Sequence, residues 1–103
     1  MIRFRSICTV KYGMFREFLH AIEDLDNLCK ERGWATSTFL VPVVGDGNEF
    51  VAEYDYPDLA TFQADSDAQM SDPDYMKIFR GAADFVYPQS VRSELYENAP
   101  RLA

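Results

Sequence analysis

Val44-Gly45-Asp46-Gly47-Asn48-Glu49 lies near the middle of the chain, and its reading decides the fold. Asp46-Gly47 suits a two-residue hairpin loop between antiparallel strands. That loop makes pairing partners sum to 93, so Val43 faces Phe50, Val41 faces Ala52 and Phe39 faces Tyr54. Phe39, Val41, Val43, Phe50, Ala52, Tyr54 and Tyr56 then share one apolar face. A slip of one residue would exchange the two faces of this hairpin.

Working outward, Trp34 to Val44 is a β-branched and aromatic run. Pro42 cannot donate to a ladder, which predicts an edge strand. Before it, Met14 to Arg32 carries Phe15, Phe18, Leu19, Ile22, Leu25 and Cys29 at helical spacing, with Gly33 placed for a left-handed cap. Ile2 to Val10 alternates as a strand, with Phe4, Ser6 and Cys8 on one face and Arg3, Arg5, Ile7 and Thr9 on the other.

On the far side, Asp58 is a candidate N-cap for a helix with a thin apolar stripe of Leu59, Phe62 and Met70. Ser71-Asp72-Pro73-Asp74 restarts a short helix, with Asp72 as N-cap and Pro73 at the first helical position. Val91, Ser93 and Leu95 alternate with Arg92, Glu94 and Tyr96 in a last strand. The sequence predicts one domain over 1–97 and a mobile tail over 98–103.

The order is βαββαβ with an extra short helix before the last strand. Right-handed crossovers make this a ferredoxin-like α+β fold, an antiparallel sheet of order 4-1-3-2 with helices on one face. The other face stays open. With 103 residues the core is marginal, and 15% aromatic content exceeds what a two-layer core needs. Both features point to a homodimer or an apolar pocket.

A net charge of −7, with no dense Lys/Arg cluster, excludes nucleic acid and anionic membranes as partners. No signal-like or membrane-spanning run occurs, so a cytoplasmic protein is expected. Cys8 and Cys29 fall roughly 15 Å apart along the strand and helix axes, too far for a disulfide. His20 is the single histidine and falls on the polar side of its helix, so neither a metal set nor a Ser-His-acid triad is available. Asp65, Asp67, Asp72 and Asp74 lack calcium-loop spacing.

Two groups of residues are candidates for a ligand site. Arg3, Arg5, Glu53, Asp55 and Arg92 share the open sheet face. They suit either a salt-bridged subunit interface or a polar pocket for an acidic or hydroxylated ligand. Tyr12, Trp34 and Tyr87 lie at element ends, where aromatic rings line a pocket for a planar molecule or pack as core and rim. No catalytic residue and no cofactor is assigned.

Cys8-Thr9-Val10-Lys11-Tyr12-Gly13-Met14-Phe15-Arg16-Glu17-Phe18-Leu19 resembles the strand, TVKPG and EFL-helix opening of dimeric α+β barrel proteins, with Tyr12 where those relatives often carry proline. Ser71-Asp72-Pro73-Asp74-Tyr75 resembles their DPEY step. The chain is most similar to the NIPSNAP-like and antibiotic-biosynthesis-monooxygenase-like groups. The resemblance implies two sheets packed through their open faces, often with a ligand cavity between each sheet and its helices or loops. It implies a small-molecule-binding protein of undetermined activity. The alternatives are a cofactor-independent monooxygenase or isomerase for an aromatic, polyketide-type substrate, and a non-catalytic structural or regulatory dimer. The haem-degrading members of that superfamily use a histidine on the second helix, which this chain lacks.

Overall fold

The computed structural model describes residues 1–102. Its elements run β1 Ile2–Thr9, α1 Phe15–Arg32, β2 Ser37–Leu40, β3 Glu49–Tyr56, α2 Leu59–Met70, α3 Pro73–Ala83 and β4 Arg92–Glu97, with a 3-10 turn at Pro88–Ser90 before β4. The strands form one antiparallel sheet of order β2-β3-β1-β4. This is the expected ferredoxin-like arrangement, with α3 as the extra helix.

The caps fall where the sequence puts them. Gly33 ends α1 at φ 73°, the left-handed region open to glycine, and its N–H reaches back to the last turn. Asp58 accepts the Thr61 N–H at 2.8 Å and starts α2. Asp72 accepts the N–H groups of Asp74 and Tyr75 and starts α3 with Pro73 behind it.

The core forms where α1 meets the sheet. Phe18 meets Phe50 edge-on, with ring centroids 4.9 Å apart. Phe15 and Phe39 also reach Phe50, which is almost fully buried. Cys8, Val10, Ala52 and Val86 complete the cluster. By contrast, α2 has no buried residue. It touches the sheet chiefly through Phe62, whose ring lies 5.4 Å from Phe4 and 5.3 Å from Tyr56.

The central hairpin differs from the expectation. β2 is only four residues long, and its partners sum to 91: Ser37 with Tyr54, Phe39 with Ala52, Leu40 with Val51. No two-residue loop forms at Asp46-Gly47. Residues 41–48 make a long connection instead, in which Glu49 N–H bonds the Asp46 carbonyl and the Asn48 carbonyl is taken by Val10 N–H. Pro42 offers no N–H to extend the ladder. The pairing therefore slips by two residues, which preserves the faces because the side-chain period is two. Phe39 stays under the helices. Val41 and Val43 leave the expected face, and Val43 is fully exposed.

Residues 98–102 carry no regular secondary structure, and Ala103, at the end of the expected tail, lies outside the described residues. Among the described residues, no helix is long and apolar enough to cross a membrane.

Candidate functional site

The two faces of the sheet carry different chemistry. On the open face, Arg3 stands opposite Asp55 and Arg5 opposite Glu53 in the β1–β3 register. Arg3 Nε donates to Asp55 Oδ1 at 2.9 Å, and Arg5 Nε donates to Glu53 Oε2 at 2.7 Å. Glu53 also lies 3.7 Å from Arg3. The hydrogen bond that Arg3 donates to Asp55, with the charges of Asp55 and Glu53, holds the Arg3 guanidinium above its ordinary pKa.

The β4 acids take no part in this grid. Glu94 stands opposite Arg5, yet Arg5 lies over the Tyr96 ring, 5.3 Å from its centroid. Arg92 lies on the same face opposite Ile7 and is exposed. A hollow of about 260 Å³ opens here, lined by Met1, Arg3, Arg5, Tyr96, Glu97 and Asn98. The open-face half of the sequence-derived site is thus assembled as one charged surface.

The aromatic half is dispersed. Tyr12 projects from the turn before α1 and is exposed. Trp34 does not begin β2; it packs edge-on against Tyr75, 5.9 Å between centroids. Tyr87 precedes the 3-10 turn and is half exposed, with its N–H bonded to the Thr9 carbonyl. None of the three lines the cavity beneath the helices.

That cavity has a volume of about 310 Å³ and lies between the covered sheet face and the helices. Phe4, Ser6, Cys8, Phe50, Ala52, Tyr54 and Tyr56 form its floor. Ile22 and Leu25 of α1, Phe62, Ser66 and Gln69 of α2, and Tyr75, Phe79 and Ala82 of α3 form its roof. Val91, just before β4, and Ser93 of β4 line one side, and both are exposed. The helices do not cover β4, so the cavity opens along that edge.

The wall is aromatic, with hydroxyl and amide groups and no Asp, Glu, Lys, Arg or His. Burial pushes the Tyr54 phenol up to about 12, and does the same more strongly for Tyr56 and Tyr75. The Cys8 thiol, desolvated and near Glu49, is pushed up to about 11. Every titratable group in the wall is therefore neutral at pH 7.

Most of these residues could not be assigned to a site from the sequence. Their apolar alternation marks core, and core and cavity lining share one pattern. The available signals are the chain's surplus of aromatic residues and the resemblance, which implies a cavity between the sheet and its helices. Among the described residues, no group of three or more His, Cys, Asp or Glu side chains could hold a metal ion. Asp72 and Asp74 instead hold Arg32, each at 2.9 Å, and Asp65 accepts the Ala35 N–H.

No family model and no curated protein matches the sequence. Solved structures do match the fold. An uncharacterised NIPSNAP domain protein from Burkholderia xenovorans superposes with a TM-score of 0.80 at 17% identity, covering 100% of this chain and 99% of its own. An antibiotic biosynthesis monooxygenase gives 0.75 at 14%, covering 97% and 100%. SnoaB, a cofactor-independent oxygenase from Streptomyces nogalater, gives 0.73 at 16%, covering 98% and 95%. At these identities the likeness establishes the fold, the same one that the TVKYG and SDPDY stretches pointed to.

Proposed function

We propose that this chain is a small-molecule-binding protein whose ligand site is the cavity between the covered sheet face and the helices. One observation carries the reading: a 310 Å³ space, walled by aromatic rings and uncharged polar groups, opens beside β4. Its volume sits at the lower end of the range of ligand pockets, about 300–1,000 Å³, and its composition is typical of them. Thermal-shift screening with apolar aromatic compounds tests it. A stabilising compound whose effect is lost in Ser66→Trp, which fills the roof, is the expected result. No stabilisation by any compound of that class contradicts it.

We further propose that the open face packs against a second copy of the chain. A monomer of this mass ordinarily exposes about 5,900 Å²; this chain exposes 7122 Å². Its radius of gyration is 14.5 Å, against about 13 Å for an ordinary domain of this length. The excess surface, the Arg–carboxylate grid and the exposed Leu40 and Tyr96 beside it suit a subunit interface. In this reading Arg3, Arg5, Glu53, Asp55 and Arg92 serve assembly before ligand binding. Sedimentation at micromolar concentration checks it, with a species of about twice 11.8 kDa expected and a lone monomer contradicting it. Free buried thiols at Cys8 and Cys29 suit a reducing compartment, which supports a cytoplasmic location.

A second reading is a cofactor-independent oxygenase for an aromatic, polyketide-type substrate. It is favoured by the likeness to SnoaB and by the tyrosine-rich wall. Oxygen uptake with polyketide phenols, lost in Ser66→Trp, would support it.

A further inference from the structure

We infer that the cavity takes its ligand uncharged: an apolar, ring-sized molecule carrying a neutral hydroxyl or carbonyl, in preference to an anionic or cationic counterpart. This rests on the cavity being the ligand site.

The wall itself supplies no counter-charge. A charged group moved from water into such a space loses hydration that only a partner charge or several aligned hydrogen bonds can replace. The surroundings oppose an anion further. Behind the floor and the α1 side stand carboxylates. Asp26 of α1 accepts the Ser37 N–H at 2.8 Å and the Ser37 hydroxyl at 3.1 Å. Asp65 of α2 lies close enough to raise the Tyr56 phenol, and Glu49 of β3 raises Cys8. Cys29 of α1, itself desolvated, is a neutral thiol at pH 7. The nearby cations at the end of α1 are engaged: Arg32 by Asp72 and Asp74, and Lys30, exposed, by Asp26 at 3.9 Å.

A cation fares little better. Asp26 and Asp65 are committed to backbone N–H groups, and they stand behind the wall rather than in it. What remains for a ligand is hydroxyl and amide hydrogen bonding. Ser6 and Ser93 face each other across the β1–β4 pair, and Ser66 and Gln69 descend from α2. Among the described residues, no side-chain hydrogen bond engages these four groups. Among the described residues no buried side-chain nitrogen or oxygen is left unpaired, so the free valences of these four open onto the cavity or solvent. A hydroxyl or carbonyl on the ligand can satisfy them without introducing charge.

The test uses three probes of one shape with the full chain at pH 7: 2-naphthol, 2-naphthoate and the 2-naphthylmethylammonium ion. Fluorescence or calorimetric titration is expected to show 2-naphthol binding at least about tenfold more tightly than either ion, a gap of about 1.4 kcal/mol. Bound 2-naphthol should also ionise at a higher pH than free 2-naphthol, read from its absorbance. Ser66→Trp and Ser93→Trp, on opposite walls, should each abolish binding, and Ser93 lies on an exposed edge that tolerates bulk. Either ion binding as tightly as 2-naphthol, with the same loss in both variants, overturns this inference and leaves the binding site standing. No binding of any probe overturns both.

Discussion

The sheet presents two faces built from the same four strands, and they hold charge in opposite ways. The open face collects Arg3, Arg5, Glu53 and Asp55 into pairs of 2.7 and 2.9 Å. On the covered face the cavity wall holds no group that carries charge at pH 7, and the cavity lies where β4 escapes the helices. Alternation explains the split, since each strand sends successive side chains to opposite sides. The lesson is functional. Charged residues mark the surface suited to a partner, and the uncharged face is the one suited to enclosing a ligand.

The largest effect that would break this comparison lies in the covered face. Phe50→Ala removes the ring on which Phe15, Phe18 and Phe39 converge, and should cost about 3–5 kcal/mol in chemical denaturation. A loss below 1 kcal/mol would mean that this cluster is not the core. Filling the cavity should spare the fold and block the ligand. Ser66→Trp is expected to abolish ligand-induced stabilisation while leaving the melting temperature of the free protein near its original value. A large drop in that temperature would show that the cavity is smaller than described.

The open face should respond more weakly within one subunit. Arg5→Ala removes a partly exposed pair and a contact with Tyr96, worth about 0.2–1 kcal/mol. Its main effect should appear as weaker self-association in sedimentation, with ligand affinity unchanged. Loss of ligand affinity without a change in association would reassign the site to Arg3, Arg5 and the hollow beside Tyr96.

The smallest effect concerns the α1 terminus. The hydrogen bond from Arg32, with the N–H groups of Tyr75 and Asp74, holds the Asp72 carboxyl below its ordinary 3.8. A lowered folded-state value contributes stability that is present above the unfolded value and fades as pH falls through the folded one. Arg32→Ala should therefore lower the melting temperature slightly at pH 6 to 7. The gap should close as the pH drops below 3.8. A gap that persists at pH 2 would show that Arg32 acts through packing and not through its charge.

Much of this architecture is legible in the sequence because its signals are local. The α1 stripe ends at Gly33, and Asp58, Asp72 and Pro73 are caps with a direct chemical reason. Alternation places Arg3, Arg5, Glu53 and Asp55 on one face, while their pairing, with β3 acids and not with those of β4, depends on the register between strands. The hairpin was harder, because Asp46-Gly47 suits a tight turn while Pro42 withholds a donor, and the second effect won. The slip of two residues kept the faces intact by parity. The residues that line the cavity are illegible for a different reason. Tyr54, Tyr56 and Phe62 read as core, and only the packing of α2, which buries none of its residues, separates a filled core from a hollow one.

The most direct measurement is an amide-resolved NMR titration of the protein with 2-naphthol. Shifts concentrated at Ser6, Tyr56, Ser66, Tyr75 and Ser93, with Arg3, Arg5, Glu53 and Asp55 unmoved, are the expected result. Shifts confined to Arg3, Arg5 and Tyr96, with the covered face silent, would place the ligand on the charged side and contradict the account.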